Sequence, residues 1–193
     1  MKKEPIALKR LSIEIFSIVF AVLLALMLDA WRDRVKVERK VQHALEDIAS
    51  EIKTFADISE SIDFNQIQSR ALDSMVKRHK DGKDTRFRSG VSRPEVRSLA
   101  WMTARENGIA ADFERQIFVD ITEIYVEFDR LEKILVYNRE FQMKSDPDMP
   151  AVNKAIMIRR QLDGIIFRSS ELRDRAREFL EKYKGAEFTK AVH

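Results

Sequence analysis

A chain of 193 residues with no cysteine, five glycines and four prolines has room for one domain or two small ones. The missing cysteine excludes disulfide scaffolds, thiolate metal sites and cysteine nucleophiles, and the scarcity of glycine and proline argues against an all-β fold built on tight turns. The formal charge of +3 is local: the first ten residues hold four Lys or Arg against one Glu, and the rest of the chain balances. It marks a short basic tip rather than a nucleic-acid-binding body, so nucleic acid is not an expected partner.

The tip (1–10) leads into a span expected over 11–31. Ile15 to Leu28 carries no charge, and ten of its residues are Leu, Ile, Val or Phe. At about 0.3–0.6 kcal/mol each, these favour bilayer insertion by about 3–6 kcal/mol. Leu11 to Leu28 reaches roughly 27 Å as a helix, close to a hydrocarbon core of about 30 Å. Trp31 follows at the place of an interfacial anchor. A buried soluble helix and a cleaved signal peptide are the competing readings. The short length suits the first, and no A-x-A site follows the run to support the second. An uncleaved single-pass anchor, with the lipid bilayer as partner, fits best. Basic residues flank both ends, Lys2, Lys3, Lys9 and Arg10 before and Arg32, Arg34, Lys36, Arg39 and Lys40 after. Orientation therefore rests on the signal-like order, which leans toward the bulk lying on the periplasmic or extracytoplasmic side of a bacterial inner membrane.

The remainder (32–185) reads as helical, with a short tail at 186–193. No Gly or Pro interrupts Ile6 to Asp81, so the membrane helix is expected to continue as a stalk. Val41, Leu45, Ile48, Ile52, Phe55 and Ile62 fall on a 4-3 spacing, with Ser59 as the single polar member. Two readings fit this seam: a bundle helix burying one stripe within its own chain, or a homo-oligomeric coiled coil. A turn-rich linker follows near 81–92. Ser92-Arg-Pro-Glu95 looks like a capping box before a short helix with Val96, Leu99 and Met102 or Thr103 on its apolar face. Asn107-Gly108 is a C-cap signal. A long helix carries Phe113, Ile117, Ile121, Ile124, Phe128, Leu131 and Leu135, widened by Phe118 and Tyr125. Asp148 and Pro150 open the last helix, whose apolar face is read as Val152, Ile156, Leu162, Ile165 or Ile166, Leu172, Ala176 and Phe179 or Leu180. The expected fold is all-α: an N-terminal transmembrane helix continuing into an antiparallel bundle of three long helices and one short helix.

No catalytic chemistry announces itself. The three histidines stand in no E-x-x-H or H-E-x-x-H order, and no phosphate-binding glycine loop or nucleophile elbow is present. No metal, cofactor or catalytic residue is expected. Two charge clusters stand out. Lys77 to Arg93 holds seven cations against two acids, with Lys77, Arg78, Lys80, Lys83, Arg86 and Arg88 as candidates for contact with a protein partner. Glu106 to Glu132 holds eight acids against two cations. Solvated faces and charge pairing inside the bundle are the simpler account of both, and partner contact is the functional alternative. Glu14, a carboxylate at the edge of the span, reads as a hydrated headgroup-level residue or as an inter-helix contact.

Glu14, Ala25-Leu26, Asp29, Trp31 and Asp33 are spaced as in the N-terminal signature of a bacterial family of single-pass membrane proteins of unknown function, and the chain resembles that family over about twenty residues. Trp101 to Ile109, with Phe113, Ile117 and Tyr125, is similar to the family's short helix, glycine turn and aromatic-rich long helix. Ala30, Arg32 and Asn107 depart from the family's commoner residues. The resemblance implies topology and makes Glu14, Asp29 and Trp31 candidates for interface or assembly roles; it implies no activity. Sequence therefore points to a membrane-anchored interaction or structural protein. A ligand-sensing bundle signalling to a partner membrane protein is the alternative, and an enzyme with an unrecognised site comes third.

Overall fold

The computed structural model describes residues 5–81, 91–94, 98–144 and 149–184. The chain forms α1 (Pro5–Ala56), α2 (Ser59–Lys80), α3 (Leu99–Glu106), a 3-10 turn (Ile109–Asp112), α4 (Arg115–Lys144) and α5 (Ala151–Lys182). No strand occurs among the described residues.

Helix α5 is the centre of the bundle. It packs on α1, α2 and α4, and its pairings fix the directions. Ser69 meets Asp163 and Asp73 meets Arg159, so α5 runs antiparallel to α2. Glu123 meets Arg175 and Asp120 meets Lys182, so it is antiparallel to α4 as well. Three long rods therefore lie side by side, α1 with α2 forming one of them, as the hydrophobic spacing predicts. Val41, Leu45, Ile48, Ile52 and Phe55 are buried at 0–1% exposure, against Ile165, Leu172, Ala176, Phe179 and the aromatic face of α4. The seam is thus consumed within one chain. This is the bundle-helix reading of the seam, with its stripe buried inside one chain.

The first rod is not one unbroken helix. It breaks at Asp57–Ile58, although neither Gly nor Pro lies nearby. There the Asp57 N–H bonds the Thr54 carbonyl at 3.3 Å, three residues back rather than four, a tightened turn that shifts the helical phase. Ile58 consequently takes the buried place that regular spacing assigns to Ser59. Downstream, Ile62, Asn65, Ser69 and Leu72 continue the buried stripe toward Ala155, Ile158 and Leu162 of α5.

Two other expectations need correction. The buried face of α3 is Trp101 and Ala104, while Leu99 and Met102 are 66% and 50% exposed. The indole decides the helix's rotation, because it buries far more area than either aliphatic side chain. In α5, Ala155 and Ile158 are buried where Val152 and Ile156 were expected; the latter two are half-buried. Gly108 ends α3 in the left-handed region at φ 73°, the expected C-cap role. The stripe Phe113, Ile117, Ile121, Ile124, Phe128, Leu131 and Leu135 is buried, and Tyr125 widens it, but Phe118, expected to do the same, is 38% exposed at the edge of the Trp101 ring. Most of the linker, Glu95 and Val96, Asp148 and the tail lie outside the described residues.

From Glu14 to Lys40 every residue of α1 is exposed except the half-buried Val35 and Glu38. Over that stretch the helix projects from the bundle for about 40 Å. Its most apolar window has a mean hydropathy of 2.0 and is 0% buried. This is the one helix among the described residues long and apolar enough to cross a membrane.

Candidate functional site

The polar groups inside the bundle act as joints. The first joins α1, α3 and α4. Glu51 presents one carboxylate oxygen to the N–H groups of Leu99 (2.8 Å) and Ala100 (3.4 Å), capping α3 from a distant helix. Its other oxygen accepts the Tyr125 hydroxyl. Burial, and then the Glu51 carboxylate, push the Tyr125 phenol far above its ordinary 10.0, so it stays a donor. Trp101 stacks on Tyr125 at 5.7 Å and 18°, and Arg105 lies over the indole. The short helix is thus docked by a carboxylate at one end and by stacked rings along its side. Glu51→Ala removes the cap and leaves Tyr125 without an acceptor. It is expected to cost about 1–3 kcal/mol, read as a lowered unfolding midpoint and as faster amide exchange concentrated in α3. Unchanged exchange in α3 would contradict the capping role.

The second joint ties down the segment before α3. Asn65, 0% exposed, donates to the Ser92 carbonyl (3.0 Å) and accepts the Ser92 N–H (2.9 Å). Ser61 donates to the same carbonyl, and Arg93 donates to the Leu135 carbonyl. Ser92 therefore serves as a backbone partner for α2. A third joint surrounds Glu127, 3% exposed, which is held by Arg130 and by Arg168 of α5. At the lower end, Asp120 accepts from Lys182, Tyr183 and Gln116. Burial opposes its ionisation, but these hydrogen bonds prevail and hold the carboxyl below its ordinary 3.8. That support is present at neutral pH and is lost only as acid titrates the group.

A groove of about 1070 Å³ opens between α1 and α3. Lys40, His43, Asp47 and Glu51 line one wall, with Ala100 and Ala104 opposite. His43 is exposed and faces Glu46 at 3.6 Å on the same helix. Among the described residues no group of three His, Asp or Glu could hold a metal ion.

The sequence-nominated residues are spread along the rod rather than gathered. Glu14 and Asp29 are exposed on the projecting helix, and Trp31 is 61% exposed at the end of the apolar run. Lys77, Arg78 and Lys80 are exposed at the last turn of α2. The 46 helical steps from Trp31 to Lys77 correspond to about 70 Å of helix. Lys83, Arg86 and Arg88 lie outside the described residues. Glu51, Asn65 and Glu127 were not nominated, since each acts through a partner at least 27 residues away. Asn65 could have been found as a polar residue on the continued seam.

No family model matches the chain, and no curated protein or solved structure matches it.

Proposed function

We propose that the chain is a membrane-anchored helical-bundle protein with a non-catalytic interaction or structural role. Its anchor is α1, and its bulk stands on the extracytoplasmic side of a bacterial cell membrane. The exposure of the apolar stretch carries this reading. A soluble core helix of mean hydropathy 2.0 would bury its side chains, whereas here none of the window is covered. The signature-like spacing of Glu14, Asp29 and Trp31 supports the same topology. Retention in the membrane pellet through alkaline carbonate washing is expected; release by carbonate would overturn the anchor. Introducing Leu23→Arg and Leu26→Arg together costs about 5–7 kcal/mol, enough to cancel a favourable insertion energy of about 3–6 kcal/mol, and is expected to move the protein to the soluble or aggregated fraction.

The α1–α3 groove favours a second reading, a ligand-sensing bundle acting on a partner membrane protein. Its wall belongs to the helix that continues toward the anchor, so an occupant would bear directly on α1. Thermal shifts with small-molecule panels test it, and a full panel without a shift would reject it.

A further inference from the structure

Directly above its apolar run, α1 carries charge unevenly around its circumference. Arg32 to Lys40 holds five cations against Asp33 and Glu38. At about 100° per residue, Arg32, Lys36, Arg39 and Lys40 fall within an arc of about 100°, and all four are exposed. Two acids, Asp29 and Asp33, stand on the same side, so cations outnumber acids there by four to two. Asp33 is engaged by Lys36 at 3.2 Å. Arg32, Arg39 and Lys40 have no acidic partner among the described residues. On the other side Arg34 and Glu38 cancel.

The basic arc runs on into the open side of the bundle. The buried seam of Val41, Leu45, Ile48, Ile52 and Phe55 is centred about 180° from Arg32. By contrast, His43, Asp47, Ser50 and Thr54, which line the α1–α3 groove, lie within about 60° of it. Lys40 belongs to both, as the upper end of the arc and the foot of the groove.

A ring of cations would pull a helix equally on all sides, whereas a one-sided arc gives the pull a direction. Arg32 and Lys36 stand about 2 and 8 Å above Trp31 along the axis, and Arg39 and Lys40 about 12 and 14 Å. An upright helix would hold the upper pair beyond a screening length of about 8–10 Å. A lean toward the arc lowers both into the field of an anionic surface.

We propose that Arg32, Lys36, Arg39 and Lys40 bind anionic phospholipid headgroups of the bilayer that α1 spans. The rod then leans toward its open side and turns the α1–α3 groove toward the lipid, with Lys40 and His43 nearest the headgroups. This contact rests on the proposed anchor, which sets the four cations beside that bilayer and no other surface.

The chain has no native cysteine, so a donor dye on Ser50→Cys, an exposed position on the groove side, reports the height of that side. Energy transfer to acceptor-labelled headgroups is read with the full chain in phosphatidylcholine vesicles, with and without phosphatidylglycerol. Flotation with both is expected, because the apolar span needs no charge. Transfer should be higher with phosphatidylglycerol. It should fall to the neutral-lipid level in high salt, and in the variant carrying Arg32→Gln, Lys36→Gln, Arg39→Gln and Lys40→Gln. Arg34→Gln, on the opposite side, should leave transfer unchanged. Equal transfer in the two lipids, persistence in the fourfold variant, or an equal loss in Arg34→Gln would overturn the one-sided contact. So would a loss caused by sodium phosphate but not by sodium chloride of the same ionic strength, by showing a site for a small free anion. Failure to float with either lipid would overturn the anchor and this contact with it, whereas flotation without a lipid-dependent difference would overturn the contact alone.

Discussion

Phe55→Ala is expected to lower stability by about 3–5 kcal/mol, the usual cost of emptying a fully buried aromatic position. Phe55 is 0% exposed. Its ring stacks on Phe128 at 5.2 Å and 10°, and meets Tyr125 edge-on at 5.5 Å. It stands at the last turn of α1, immediately before the break, where the first rod is joined to α4 by rings rather than by close backbone approach. Rigid rods joined in this way collapse poorly around a void, so the upper part of the range applies. At about 2–4 °C per kcal/mol for a protein of this size, a loss in the upper part of that range lowers the thermal midpoint by roughly 8–20 °C, measured by circular dichroism in detergent. Phe64→Ala is the control: that ring is 42% exposed, and its loss should cost little. Equal effects of the two substitutions would show that Phe55 is not a keystone of the core.

Removing Arg130 and Arg168 together is the second large effect. Glu127 is 3% exposed, and these two guanidinium groups hold its two oxygens. Arg168→Ala alone should be tolerated better, because Arg130 stays on the same helix. The double substitution strands a buried carboxylate, with an expected cost of about 3–5 kcal/mol. Most of that cost is the desolvated charge rather than the lost attraction. Adding Glu127→Gln to the double variant should therefore recover much of the stability, as read by urea unfolding. A triple variant no more stable than the double would mean that packing, and not charge, is what the arginines supply.

The all-helical fold was legible because hydrophobic spacing is a local signal. The α4 stripe from Phe113 to Leu135 is buried in the predicted register, and Gly108 caps where its position suggested. What escaped was whatever depends on distant parts of the chain. The break at Asp57–Ile58 leaves no glycine or proline as a mark; its only trace was the polar Ser59 on the seam. The rotation of α3 is set by the docking of Trp101 on Tyr125, 24 positions away, while the eight residues of α3 alone permitted either face inward. Glu51, Asn65 and Glu127 looked like ordinary solvated helix residues, since nothing local announces that a carboxylate or amide will meet a helix start, a bare peptide group or two arginines.

The helix from Glu14 to Ala56 has a mechanical consequence. With α1 crossing the bilayer as proposed, no hinge separates the anchor from the core, because one hydrogen-bonded rod runs through both. The bundle must then lean with the anchor. From Trp31 to Ala56 the rod extends about 38 Å, so an average transmembrane tilt of about 20° carries Ala56 sideways by about 13 Å. Bilayer thickness, by setting the tilt, would set how far the bundle stands above the lipid and how wide a circle it patrols.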